Sequence, residues 1–505
     1  MSSAPWRRLF LAGVYVVMLG LLAVPIASVE IPPLGDYPNH LARMHILSSI
    51  ADSPELAANY LVEWKVAPYL AMELIIPRLT RYMSVYTAGR IFVYLCLVQF
   101  VIGTAAVHAA LFRKFSVFPA VSALFAYNYV VSLGFLNYLF GIGLWLLAFA
   151  GWIELSRRSV RWRLLLGSIL SLAVFFCHFF AFFGYALSVG AFELGIIFAS
   201  RHSGMKVWAT KVWAPRAAVT SAAFIGPGLI YVLLCPKMEL GATHFGSVTD
   251  RVLALLTPFV FPGAWVGLGL VPLLIISLLS PPVRRRLTIA PPMRLPLMCL
   301  GIAAVLVPGV LSGVWGMEYR LPAGFIFLLI ASCSWRDIPR PVAMTLTAAM
   351  TAGLAVNVAM ITFAWRPAGQ HFDTFRRALS VIPRGARVIA FYEHSPFDSY
   401  VNVPALAMIE RDASMPLLFT NPMLPVSARP NARTIAMPKG HNIPLSDLTE
   451  GAHPAEGQQR RDGIPFGWPK SYDYAIGLGV GSGPPPAHLE LLTAGEIFSV
   501  YKVNP

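Results

Sequence analysis

Nine consecutive residues, Gly35-Asp36-Tyr37-Pro38-Asn39-His40-Leu41-Ala42-Arg43, bring a carboxylate, an imidazole and a guanidinium within one short stretch. Proline is favourable in the first turn of a helix, so Pro38 predicts a helix start with Asp36 just ahead of it. His40 and Arg43, three apart, then share a face. Such a group can move a proton and hold an anion. The bland alternative is that Asp36 only complements the helix dipole and His40 faces water. The position of the group argues against it, because ionisable residues beside a membrane bundle are costly and tend to be functional.

Other polar residues stand at the edges of apolar runs. Arg320 lies in Gly316-Met317-Glu318-Tyr319-Arg320-Leu321-Pro322, where a charge wants a partner, either Glu318 or the membrane interface that a long side chain reaches by snorkelling. Glu318 and Tyr319 count with it as candidate substrate contacts. Lys65 follows Glu63-Trp64. His178, in Phe175-Phe176-Cys177-His178-Phe179-Phe180, is the lone ionisable group of an apolar run, where a hydrogen-bonded core histidine is the commoner case; His244 is weighed the same way. Asn128 and Asn137 flank a tight turn, which by itself accounts for them, although either amide could bind a sugar.

The elements that must position these groups follow from composition. Of 505 residues, 57% are hydrophobic and 12% charged, far outside the soluble range. Apolar runs near 9–29, 90–112, 116–132, 136–155, 163–180, 182–200, 217–235, 262–280, 295–313, 319–335 and 342–364 predict about eleven crossings of a helical bundle. The run after Arg7 and Arg8 resembles a signal peptide, but is expected to remain as an anchor. The formal charge of +15 comes largely from short basic clusters between runs, which is a topology signal and speaks against nucleic acid as a partner. Eleven crossings put every cluster on one side, the cytoplasmic one, and the tail on the other. Stretches 68–88 and 250–261 read as interfacial or re-entrant. Five cysteines without a C-x-x-C pair indicate packing residues, with neither a zinc site nor a disulfide framework.

From about Arg366 charge, proline and glycine rise. Alternating runs at Ala386–Tyr392, Thr434–Pro438, Tyr474–Val480 and Phe498–Val503 predict strands, and Phe372–Ile382 and Ala487–Ala494 predict helices. Pro444–Lys470 reads as a loop. The domain reading is therefore a membrane domain over 1–365, including a first outer loop at 30–89, and a small α/β domain over 366–505.

An early acidic residue in a long first outer loop, about eleven spans and an outer C-terminal domain together resemble the GT-C superfamily, membrane glycosyltransferases that take sugars from polyprenyl-phosphate carriers. Gly35–Arg43 is similar to the first-loop motif of bacterial members. Lys470-Ser471-Tyr472-Asp473-Tyr474 and Phe498-Ser499-Val500-Tyr501 are similar to strand ends of their outer domains. The resemblance covers most of the chain in architecture and a few short stretches in motif.

It implies an inverting hexosyl or pentosyl transferase in a bacterial inner membrane, with a periplasmic tail domain and a glycolipid, polysaccharide or protein acceptor. Asp36 matches the base that deprotonates the acceptor hydroxyl. Beside a helix N-terminus a carboxylate holds its proton weakly, so it would need desolvation or His40 to act as a base. The leaving phosphate calls for cations, Arg43 first, then Arg320 and Lys65. Many members carry a second acid nearby; here Glu30 is the nearest upstream, which puts a divalent metal in doubt and leaves no cofactor required. Two other readings compete. A polysaccharide polymerase or ligase is the closest; a transporter or flippase would place charges deep in several spans, and few spans have one.

Overall fold

The computed structural model describes residues 5–201, 206–238, 241–269, 272, 280–336, 339–392, 400–429, 443–445, 448, 468–479 and 487–505. The chain forms two compact units. The first comprises Met1–Ala27, Val66–Ala71 and Val93–Ala364; the second comprises Ser28–Lys65, Met72–Phe92 and Trp365–Pro505. By contacts, therefore, most of the first loop groups with the C-terminal region.

Among the described residues, seven helices are long and apolar enough to cross a membrane: Arg8–Ser28, Val85–Phe112, Leu136–Leu155, Val160–Cys177, Phe179–Phe198, Ala214–Leu233 and Pro341–Val381. The chain is a multi-pass membrane protein. These seven correspond to seven of the eleven apolar runs, and shorter helices at Arg294–Leu306 and Arg320–Ser332 to two more. At 13 residues each, these two rise only about 20 Å, short of a core of about 30 Å. One is followed by a hairpin pairing Val310–Leu311 with Val314–Trp315, the other by a strand, Cys333–Trp335, paired antiparallel with Leu287–Ile289.

The run at 116–132 is a correction. It forms a 3₁₀ helix, Phe118–Phe125, and a short α-helix, Tyr129–Leu133, instead of a span. Most of it is buried, and irregular backbone at membrane depth is tolerated where protein covers it. Of the run at 262–280, residues 270, 271 and 273–279 lie outside the described residues. Stretch 68–88 contains a nine-residue helix, Ala71–Leu79, and 250–261 belongs to Val248–Leu256 and a 3₁₀ turn, none of them of spanning length.

Glycines let the helices of the first unit approach closely. Trp145 is fully buried, and its ring fills the space that a Cβ at Gly184 or at Gly324 would occupy. Gly167 is pressed in the same way against Trp152. Small residues at helix contacts are how membrane helices gain packing when hydrocarbon offers no hydrophobic drive between them.

In the second unit a five-stranded sheet comprises β1 (Val388–Tyr392), β2 (Ile443–Pro444), β3 (Tyr474–Leu478), β4 (Leu489–Ala494) and β5 (Phe498–Val503), in spatial order β4-β5-β3-β1-β2. β1 runs parallel to β3, while β5 runs antiparallel to both β3 and β4. Ile389, Phe391, Ala475, Tyr501 and Val503 alternate onto one buried face, as a period of two requires. Ala487–Ala494, expected to be helical, is a turn at Ala487 and His488 followed by strand β4: Gly495 and the turn before β5 fold it back into the sheet ladder. Phe372–Ile382 is helical as expected, the end of Arg340–Ala378 with a 3₁₀ turn after it. Thr434–Pro438 lies outside the described residues, as does most of Pro444–Lys470.

A polar brace joins the first loop to the tail within this unit. Asp412, in a left-handed conformation (φ 51°), accepts from Ser53 Oγ at 3.0 Å, meets His45 Nε2 at 2.9 Å and pairs with Arg384. Burial works to raise its pKa, but these hydrogen bonds outweigh it and hold the carboxyl down at about 2. An unfolded aspartate titrates near 3.9, so this stabilisation is complete above about pH 4 and is lost as pH falls towards 2. Asp412→Asn is expected to flatten that acid limb, read from chemical unfolding of the full chain between pH 5 and 2. An unchanged acid slope would refute the assignment.

Candidate functional site

In the second unit the Gly35–Arg43 motif folds as expected at its start: Tyr37–Ser49 is helical with proline in its first turn. Asp36 occupies the N-cap position but makes no side-chain capping bond. It sits half-buried between buried neighbours, and its Oδ1 accepts from Asn402 Nδ2 at 3.3 Å. The same amide nitrogen donates to the Gly35 carbonyl at 3.1 Å. Asn402 Oδ1 in turn accepts from Asn39 Nδ2 at 3.1 Å, and Asn39 also holds the Leu417 carbonyl (2.7 Å) and the Phe419 amide (2.9 Å). Buried Asn39 and Asn402 thus fix the carboxylate to two segments of the tail.

His40 and Arg43 share a face, with Nδ1 3.2 Å from a guanidinium nitrogen, and Phe419 stands edge-on to the imidazole. Arg43 differs from the sequence expectation in its surroundings. It is 1% exposed, and two of its nitrogens donate to one oxygen of Glu73 at 2.8 and 3.2 Å. Glu73, on the Ala71–Leu79 helix, balances its charge. Lys65 is partly exposed and lies 3.8 Å from Glu63, a loose pair.

The first unit holds a second polar group. Arg320, at the start of Arg320–Ser332, is 8% exposed, with its guanidinium over Phe135 (4.8 Å) and Tyr138 (5.7 Å). His178 closes the Val160–Cys177 helix, and its Nδ1 accepts from the Phe180 amide at 3.1 Å. In the neutral ring the proton then sits on Nε2, which lies 3.5 Å from Arg320 Nη1. Two donors stand side by side, the arrangement an anion satisfies.

Tyr69 packs edge-on against His178 in a backbone conformation (φ 132°) rare for a side chain of its size. It is pinned there by its own amide and that of Leu70, both donating to the Phe176 carbonyl, and by Asn137 Nδ2 on its own carbonyl at 3.1 Å. Backbone held in a sparsely populated region concentrates at functional sites.

No family model matches the chain, and no curated protein does. Among solved structures it is similar to ArnT from Cupriavidus metallidurans bound to undecaprenyl phosphate, with a TM-score of 0.50 and 11% identity over 99% of this chain and 98% of that one. The apo structure of the same protein gives 0.49 and 11% over 98% and 97%. This chain has a GT-C-type fold. At that identity the likeness concerns architecture alone.

Within the GT-C fold the remaining candidates divide. Asn128 caps the Tyr129–Leu133 helix, accepting from the Val131 amide and donating to the Phe125 carbonyl, so the turn explains it. Asn137 positions Tyr69. Glu318 is buried beside Gly309 with one carboxylate oxygen lacking a hydrogen-bond partner among the described residues, and Tyr319 stacks edge-on with Tyr129 and Trp315. His244 is exposed and pairs through its backbone with Val310.

Sequence reasoning missed Asn402 and Glu73 as partners of the candidate residues in the second unit, and Tyr69 as a partner of His178 in the first. Glu73 carried a faint signal, a lone acid on an otherwise apolar helix face. Asn402 carried none. Truncating it to alanine is expected to lower turnover about tenfold with little change in substrate affinity, the effect of losing one orienting hydrogen bond. Steady-state kinetics separates the two, and an unchanged kcat would remove Asn402 from the site.

Proposed function

We propose that the protein is a membrane glycosyltransferase that moves one sugar from a polyprenyl-phosphate donor to a hydroxyl of a glycolipid, polysaccharide or protein at the outer face of the inner membrane. The observation that carries the reading is Asp36: a half-buried carboxylate that no capping bond consumes and that Asn402 orients, in a chain with the fold of a protein whose structure holds undecaprenyl phosphate.

Asp36 takes the proton of the acceptor hydroxyl as its oxygen attacks the anomeric carbon. The bond from that carbon to the phosphate oxygen breaks, and polyprenyl phosphate leaves with the electron pair. A single displacement inverts the anomeric centre. It needs a base and a charge acceptor, and the reading invokes no cofactor.

Charge builds on the leaving phosphate, where aligned donors stabilise the transition state more than the ground state. Of the two candidate cations that lie with Asp36 in the second unit, Lys65 is the more loosely paired and so the more available for this role. Arg43, already balanced by Glu73, serves to hold the helix that carries Asp36 and His40.

The test uses the purified full chain with synthetic polyprenyl-phosphate monosaccharides, hexoses and pentoses among them, and membrane extracts as acceptor. Release of polyprenyl phosphate coupled to a labelled glycan is the expected result. Donors left intact across the panel, with the protein folded, would exclude the reading.

A further inference from the structure

Three helices of the first unit share a buried charge network that this chemistry does not use. Glu193, on the Phe179–Arg201 helix, receives Trp152 Nε1 at 2.9 Å, Arg216 Nε at 2.7 Å and a guanidinium nitrogen of Arg163. Arg163 is 5% exposed and lies over the Trp152 ring at 4.9 Å.

One carboxylate thus serves two guanidinium groups, leaving a net positive charge among apolar helices. Arg163 Nε and Arg216 Nη2 are buried and have no hydrogen-bond partner among the described residues. An uncompensated cation in such a place is costly, and ionisable groups inside membrane helices are retained for use.

The depth of the network says what could balance it. Arg163 is the fourth residue of the Val160–Cys177 helix, and Arg216 lies just inside the apolar part of its own helix, which begins at Ala214. Both therefore stand within about a turn of the hydrocarbon boundary, where lipid phosphates reside. Arg157, Arg158 and Arg161 are exposed just before Arg163, and Trp162 is exposed as an interface anchor. Leu166, one turn beyond Arg163 on the same face, is exposed, as acyl chains would require.

We propose that Arg163 and Arg216 bind the phosphate of an anionic phospholipid at this basic end of the bundle. Basic pockets between membrane helices favour such headgroups, and each arginine near the surface contributes a factor of about five.

The experiment is native mass spectrometry of the full chain with equimolar phosphatidylglycerol and phosphatidylcholine. Retention of phosphatidylglycerol over phosphatidylcholine by at least about fivefold is expected, falling towards parity in Arg216→Gln. Glu193→Gln, which removes the competing carboxylate, is expected to hold or increase the preference even if Arg216→Gln is poorly folded.

Equal retention in the unmodified chain, an unchanged ratio in folded Arg216→Gln, or a loss of preference in folded Glu193→Gln would overturn the proposal. Displacement of phosphatidylglycerol by millimolar inorganic phosphate would also overturn it, marking a free-anion site. None of these readouts depends on glycosyl transfer.

Discussion

Asp36→Asn is expected to reduce turnover by about 10²–10⁴-fold, the usual worth of a positioned general base. The substitution keeps the volume and one oxygen, so the bond from Asn402 Nδ2 to the side chain at position 36 can persist, and with it the local fold. Asp36 makes no capping bond, so the helix start loses none. Thermal stability and donor affinity should therefore stay close to those of the parent while kcat collapses. His40→Ala, removing a neighbour of Arg43, is expected to cost less. If Asp36→Asn retains kcat within about threefold, the acceptor proton goes elsewhere and Asp36 is no base.

Glu73→Gln is the second large effect, and it falls on stability. Arg43 is 1% exposed and the Glu73 side chain is fully buried, so neutralising the carboxylate leaves a guanidinium in the interior without its counter-charge. Breaking a buried pair in this way costs about 3–5 kcal/mol. Replacing both partners, as in Arg43→Met with Glu73→Leu, should recover much of the loss, because desolvating the pair offsets most of its attraction. Thermal unfolding of the three variants in detergent measures it. The opposite outcome, full stability in Glu73→Gln together with tighter donor binding, would return Arg43 to the role of phosphate ligand.

The two effects separate chemistry from support at one short helix. In the proposed reaction Asp36, at its N-terminus, meets the acceptor, while Arg43, two turns on, is tied to the Ala71–Leu79 helix, and Asn39 between them is tied to Leu417 and Phe419. A carboxylate held on both sides pays its ordering cost on folding and not on binding, which is what preorganisation means for a base.

By itself the sequence determined the solvent and singled out one stretch in which residue types able to react stand together. Long apolar runs are a local property, so seven spanning helices and two shorter ones could be read directly, and Gly35–Arg43 announced itself because its reacting types are adjacent and Pro38 marks the helix start. Strands β1, β3 and β5 were legible from alternation. What failed was whatever apolarity leaves degenerate. The 116–132 run is as greasy as a span, yet buried protein surroundings let it fold as 3₁₀ turns; Ala487–Ala494 has helix-forming residues, yet the ladder to Phe498–Val503 made Leu489–Ala494 a strand.

Only the tertiary structure decided the partners. Asn402 stands 366 positions from Asp36, Glu73 stands 30 from Arg43, and Arg320 stands 142 from His178. No periodicity or motif encodes such pairs, because a hydrogen bond depends on where the backbone returns and not on how far it has travelled. The counter-charge of the arginine at position 43 was therefore invisible in the sequence, and the structure shows it to be Glu73.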